Sequence, residues 1–260
     1  MVQEVNDIRR KFSRAAKSYD EYSSLHREIG NDLADLIIID NPIDNILEVG
    51  CGTGYFSGRI KEKYSRANVA SIDISEEMIK KAMDVISGID FIQADALRLP
   101  FKSGIFGLLS SNLAYQWVSD LPLAISETYR VLNEGGKVFL TLFGYNTFYE
   151  LFEALEECCL PGRNESLLIS RLPTDRDIES SLKISGFKQI RISKSLHALR
   201  FDSLNIFLEW IKNIGANGLK RNFYLGKDRL ARISDYYLDN YSHDGKISST
   251  LEAIWAVGEK

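Results

Sequence analysis

Cysteine is scarce: Cys51, Cys158 and Cys159 are the only three in 260 residues. They form no C-x-x-C pair and two are adjacent, so no disulfide framework is expected and a reduced, cytoplasmic setting is. Histidine is as rare, with His26, His197 and His243 far apart. There is no metal-ligand spacing and no G-x-S-x-G, so no metal is expected and no hydrolase-type nucleophile. No apolar run approaches the roughly 18 residues of a membrane span. Met1 to Asp7 lack the basic start and apolar stretch of a signal peptide. There is no internal repeat and no low-complexity linker. A net charge of −4 argues against general nucleic-acid binding.

What is present is an ordinary globular composition, 45% hydrophobic and 26% charged, enough for one large α/β domain or two small ones. The chain is organised around residues 45–54, NILEVGCGTG. Ile46, Leu47 and Val49 suit a buried strand. Gly50, Gly52 and Gly54 then suit a sharp turn whose backbone comes close to a ligand. Tyr55 to Ile60 can enter a helix, completing a nucleotide-type pocket. The spacing is G-x-G-x-G rather than the G-x-G-x-x-G of dinucleotide binders, with Glu48 two residues ahead. A carboxylate there disfavours a pyrophosphate and suits a cationic ligand such as one with an ammonium group. Cys51 reads as a small residue filling the turn.

Further along, Val69 to Asp73 reads as a second strand. Asp73 lies near the spacing at which an acid reaches both ribose hydroxyls. Ser75 reads as a helix N-cap with Met78 at N3; Met78 packs either on an adenine face or in the core. Asp90–Gln93 is a third strand, and Asp95 after it either accepts an adenine amino group or caps a turn. A fourth strand over 104–112 delivers Asn112, Gln116 and Trp117 to its C-terminal edge, where open α/β sheets bind ligands. A helix over 121–132, a turn at 133–136 and a fifth strand over 137–143 follow. Helices are expected over 147–159 and 174–185, and a long strand over 187–201. Residues 203–241 read as helix broken at 215–218, with a closing strand over 251–258. At the front, Ile8, Phe12, Ala15, Tyr19, Tyr22, Leu25, Ile29, Leu33 and Leu36 recur at helical spacing, as one long helix or two shorter ones. Together these predict a doubly wound α/β sheet of seven strands. Residues 1–41 and 202–243 form helical lids on a core of 42–201 and 244–260, all in one domain.

Charge is uneven. Residues 188–200 carry Lys188, Arg191, Lys194 and Arg200 without an acid, and residues 209–232 carry six bases against two acids. These are either solvated faces or docking surfaces for an acidic partner.

The glycine stretch resembles the first motif of the class I S-adenosylmethionine-dependent methyltransferases, and Asp73 and Asp95-Ala96 follow in the matching order. A narrower resemblance rests on Phe12-Ser13-Arg14-Ala15-Ala16-Lys17-Ser18-Tyr19, Ser111-Asn112-Leu113-Ala114-Tyr115-Gln116-Trp117 and Ile214-Gly215-Ala216-Asn217-Gly218. These look like the malonyl-acyl-carrier-protein O-methyltransferases that begin biotin synthesis. The likeness covers nearly the whole chain and departs at Cys158-Cys159 and 160–173.

The resemblance implies a Rossmann-like methyltransferase fold, with a seven-stranded, mostly parallel sheet. It implies methyl transfer from S-adenosylmethionine to the free carboxylate of a malonyl thioester. Glu48, Gly50, Gly52, Gly54, Asp73, Ile74, Met78, Asp95, Ala96 and Asn112 are then the expected cofactor residues. Tyr19, Gln116 and Trp117 are expected at the reacting groups. Arg200, Lys212, Lys220 and Arg221 are expected to dock the carrier protein, with the enzyme a monomer. A carboxylate, with a pKa of about 4, is already ionised and needs no general base. Two alternatives stay open: a methyltransferase acting on another small acid or a quinone-pathway phenol, and a non-catalytic cofactor-binding regulator.

Overall fold

The computed structural model describes residues 2–39, 41–159, 172–215 and 226–260. Its centre is a sheet built from β1 (Asn45–Val49), β2 (Asn68–Asp73), β3 (Asp90–Gln93), β4 (Phe106–Asn112), β5 (Leu132–Phe143), β6 (Lys188–Phe201) and β8 (Lys246–Glu259). They run in the order β3-β2-β1-β4-β5-β8-β6. The first five are parallel, and β8 lies antiparallel between β5 and β6. The expected seven strands are thus found. A two-residue strand, β7 (Ser242–His243), adds a hairpin onto β8.

The central strands are apolar at consecutive positions because both faces are covered. Ile46, Leu108 and Phe139 on one face pack with Leu33, Phe56 and Ile60. Leu47, Leu109, Val138 and Leu140 on the other pack with Ala124, Ile125, Ile178 and Leu182. The covering helices are α3 (Ser24–Leu36) and α4 (Tyr55–Lys63) on the first side. On the second are α6 (Leu121–Val131) and α8 (Asp175–Ser185). α5 (Glu76–Val85) packs beside β3. Each start is chemically marked: Ser75, Asp120 and Thr174 accept from the third helical N–H of α5, α6 and α8.

Two expectations are modified. The front of the chain is neither one helix nor two but three: α1 (Val2–Ala15), α2 (Tyr19–Tyr22) and α3. The chain leaves α1 at Ala16–Ser18, and Leu36 ends up 40% exposed rather than on the apolar face. The turn at 133–136 lies inside β5, whose ladder with β4 jumps from the Phe106–Leu132 pair to Leu108–Lys137. Gly135, with φ +77°, makes the bend.

A third apolar cluster joins α7 (Tyr149–Cys159), α9 (Leu204–Asn213) and α10 (Lys227–Asn240) to α3 and the first half of β8. Of the break expected at 215–218, α9 ends ahead of it at Asn213, and Ala216 to Gly218 lie outside the described residues. No helix among the described residues is long and apolar enough to cross a membrane.

Candidate active site

β1 ends at Val49, and the next five residues turn the chain into α4. Gly50, Gly52 and Gly54 all hold positive φ, at +81°, +54° and +93°, which side chains resist. The turn is pinned to the neighbouring strand, because Gly50 N and Cys51 N both donate to Ile72 O, at 2.8 and 2.9 Å. Asp73, at the end of β2, grips it further: Oδ2 accepts from Gly52 N at 2.9 Å and Oδ1 from Ser75 N at 2.8 Å. Burial raises the Asp73 pKa, and these backbone hydrogen bonds oppose the rise.

Above the turn lies a cavity of about 800 Å³. Gly50, Gly52, Asp73, Ile74, Met78, Asp95, Ala96 and Asn112, all expected at the cofactor, line it, as do Tyr19 and Trp117. Asp95 is also a turn cap, accepting from Leu97 N at 2.9 Å. Met78 is both lining and core, at 1% exposure. The Asn112 amide ties α3 to the sheet: Nδ2 donates to His26 O at 3.0 Å and Oδ1 accepts from Thr141 Oγ1 at 2.7 Å. The Tyr19 phenol is pushed far above its usual pKa by burial, then by Asp73 and Asp20, so it stays a proton-bearing donor.

Three expected residues do not line this cavity. Glu48 sits beneath the turn, 1% exposed, with Oε2 accepting from Ser57 Oγ at 2.5 Å and Ser71 Oγ at 2.6 Å. Alternation along β1 points it down into the α4–β2 junction, and burial raises its pKa to about 7. It supports the turn from below and does not face an ammonium group in the cavity. Gly54 faces α5: a Cβ there would lie 3.0 Å from Ala82 Cβ. Gln116 lies in a 3-10 turn over Tyr115–Trp117, which separates successive side chains by about 120°. Tyr115 and Trp117 reach the cavity, while the Gln116 amide folds back onto Leu113 O at 2.8 Å. Of the docking candidates, Arg200 on β6 and Lys212 on α9 are exposed, and Lys220 and Arg221 lie outside the described residues.

Other site residues had no clear sequence signal. Val5, Ile8 and Phe12 of α1 line the cavity as a roof, but their helical spacing reads equally as core. Phe12 meets Trp117 edge-on at 5.8 Å. Ser13 fastens α1 to the start of α5 through Ser75 Oγ at 3.0 Å and Glu77 Oε2 at 2.5 Å. Gly30 could have been noticed as a glycine inside an amphipathic pattern; a Cβ there would stand 2.9 Å from Asn112 Nδ2.

The cavity fits an adenosine-bearing methyl donor. Its floor is open backbone: a Cβ at Gly52 would meet no atom within 4 Å, so any side chain there would occupy the ligand's space. Carboxylates at Asp73 and Asp95 suit hydroxyl and amino donors, and Met78, Ile74 and Leu97 offer flat apolar contact.

Comparison with known proteins agrees. A family model described as a methyltransferase domain matches residues 47–140, β1 through most of β5. The YcgJ protein of Bacillus subtilis superposes with a TM-score of 0.64 at 19% identity, covering 90% of this chain and 98% of that one. This places the fold among the class I methyltransferases. Malonyl-acyl-carrier-protein O-methyltransferase 2 of Ilyobacter polytropus is 31% identical over 255 residues, 96% of each chain. The malonyl-acyl-carrier-protein O-methyltransferase of Methylococcus capsulatus is 30% identical over 256 residues, 96% of this chain and 91% of the relative. Identity at this level along essentially the whole length extends well past the matched residues 47–140 on both sides, and the chain belongs to the malonyl-acyl-carrier-protein O-methyltransferase family.

Proposed function

We propose that this protein methylates the free carboxylate of a malonyl thioester carried on an acyl-carrier protein, using S-adenosylmethionine. One observation supports the donor above all: Asp73, Asp95 and the open glycine turn converge on a single cavity. Family membership supports the acceptor. Masking the charge as a methyl ester would make a primer for biotin synthesis. The free thiols at Cys51 and Cys158 suit a reducing cytoplasm.

When bound, S-adenosylmethionine supplies an electrophilic methyl on a sulfonium, which an ionised carboxylate accepts without loss of a proton. Asp73 would hold the ribose hydroxyls and Asp95 the adenine amino group, with Met78 and Ile74 against the ring. Glu48 and Gly54 act indirectly, by holding the turn in shape. Tyr19 and Trp117 would border the reacting groups, Tyr19 as a hydrogen-bond donor. The chain's task is alignment and exclusion of water rather than proton transfer. Both lids serve this. Trp210 Nε1 of α9 donates to Tyr22 O at 3.1 Å, and Ser18 Oγ to Asn213 Oδ1 at 3.2 Å, joining the front helices to the insertion. The domain reading, a Rossmann-like core under two helical lids, is part of this proposal.

The test is methyl transfer from labelled S-adenosylmethionine to malonyl-acyl-carrier protein, malonyl-coenzyme A and a panel of small acids and phenols. Labelled ester on the malonyl thioesters alone is the expected result. Label on a phenol or an unrelated acid, or on nothing, would replace the proposal with one of its alternatives.

A further inference from the structure

Leu113 is the first residue past β4, and it holds φ +55°. A bulky side chain resists that left-handed region, and residues kept there against their preference gather at functional sites. What the bend does is visible on either side of it. Asn112, Leu113 and Ala114 all line the main cavity. The Ala114 methyl lies 2.2 Å from where a Cβ at Gly50 would stand, so the bend presses this wall against the glycine turn. Relaxing Leu113 to a negative φ would rotate the chain downstream about its N–Cα bond and carry Ala114 off Gly50.

Hydrogen bonds on both sides hold the bend. Leu113 N donates to Thr141 O at 3.0 Å and to Thr141 Oγ1 at 3.1 Å, and that hydroxyl donates in turn to Asn112 Oδ1 at 2.7 Å. Beyond the bend, Gln116 Nε2 donates to Leu113 O at 2.8 Å. Gln116 is 8% exposed, and its Oε1 is buried with no partner. Turning the amide over would set Oε1 against the Leu113 carbonyl, oxygen against oxygen. Buried oxygens are rarely left unpaired, because the lost hydration is not recovered. A strained backbone and an unsatisfied amide are thus maintained together, joined by one hydrogen bond at the edge of the cavity.

We infer that Gln116 is a positioning residue: it clamps Leu113 in the left-handed conformation and thereby fixes Asn112 and Ala114 as the cavity wall against the glycine turn. The inference rests on the methyl-transfer reading above. Gln116 acts through Leu113 and not on a reacting group, since its neighbours Tyr115 and Trp117 line the cavity and it does not. A loosened clamp would misalign donor and acceptor, and a reaction driven by alignment registers that as lost turnover.

A double-mutant cycle tests this, read as kcat and as S-adenosylhomocysteine affinity by calorimetry. Gln116→Met keeps the volume and removes the donor. It should lower kcat on the malonyl thioester on the order of 10- to 100-fold with KM within about threefold, and weaken S-adenosylhomocysteine as well. Asparagine adopts the left-handed conformation readily, so Leu113→Asn makes the clamp dispensable. In that background Gln116→Met should cost no more than about threefold in kcat; the comparison is made within each background, so the cost of trimming Leu113 cancels. A thermal melt corrects each rate for folded protein. If Gln116→Met does not fold, Gln116→Asn, whose amide is too short to reach Leu113 O, replaces it in the cycle. Equal losses in both backgrounds would give Gln116 a role independent of Leu113, and unchanged kcat in the single variant would make it packing; either result overturns the clamp. A wild-type protein that methylates no malonyl thioester would instead remove the proposed function, and the same cycle read on S-adenosylhomocysteine affinity would then decide the clamp.

Discussion

Asp73 does two jobs with one carboxylate. Its oxygens already accept from Gly52 N and Ser75 N, and the lone pairs left over face the cavity. Asp73→Ala should therefore weaken S-adenosylhomocysteine binding by about 1.5–3 kcal/mol through lost charge-assisted bonds. Unchanged affinity by calorimetry would take Asp73 out of the site. Two other buried groups set opposite pH dependences. Glu48 has its pKa raised from 4.5 to about 7, so the folded state holds a proton that the unfolded state has released, and stability falls as pH rises through that window. His26 has its pKa lowered from 6.5 to about 4; its contribution is complete above 6.5 and is lost as pH falls towards 4. Each shift corresponds to about 3 kcal/mol, and in the overlap they offset one another. Glu48→Gln should thus unmask stability that rises from pH 4.5 to 6.5, and His26→Asn stability that falls from pH 4.5 to 7. Denaturant titrations at pH 5, 6 and 7 read both slopes. Parallel curves for wild type and variants would mean that neither group changes its proton affinity on folding.

The glycine turn divides its labour in a way that its spacing does not disclose. Gly54 packs α4 against α5, with Ala82 Cα only 3.1 Å from a would-be Cβ, whereas the same position at Gly52 is empty space. Both have positive φ, so alanine at either should cost on the order of 1–3 kcal/mol from the backbone alone. Beyond that the two diverge. Gly54→Ala should depress the melting temperature further, through the clash with α5. Gly52→Ala should lose cofactor affinity out of proportion to its loss of stability. Identical ratios of lost affinity to lost stability would refute the division. The same stretch shows what was legible from sequence. Strand, turn and helix were, because apolar run, glycines and periodicity are local patterns. So was the N-cap at Ser75. The direction of Glu48 was not, since only the docking of α4 on β2 brings Ser57 and Ser71 to it. Nor was the direction of Gln116, for a related reason: a three-residue turn sends neighbours to different sides, and nothing local says which. The roof formed by α1 depends on Ser13 meeting Glu77, 64 residues away, a pairing that periodicity cannot report.

At the scale of the whole molecule, an acyl chain tethered to a carrier protein must reach a cavity that α1 and α2 border, with α9 packed against α2. A carrier protein is typically acidic, so the surface that receives it should be basic and close to the joined lids. Lys212 lies on α9 one residue before Asn213, whose side chain accepts from Ser18, which puts its charge beside the contact between the two lids. Arg200 is exposed near the end of β6. Exposed ion pairs contribute only about 0.2–1 kcal/mol each, so no single substitution should abolish docking. Reversing Lys212, Lys220 and Arg221 together to Glu also adds repulsion, which slows encounter. The apparent KM for malonyl-acyl-carrier protein should then rise while that for malonyl-coenzyme A changes little. Added salt should weaken the wild-type carrier-protein reaction in the same direction, because exposed charges are screened within about 8 Å at physiological ionic strength. Including Arg200→Glu should deepen the effect if the docking face extends from α9 to the sheet edge, and leave it unchanged if the face is confined to the insertion. Equal effects on both thioesters would mean that these charges act on the shared malonyl and pantetheine parts. No effect on either would make this stretch a solvated face and move docking elsewhere.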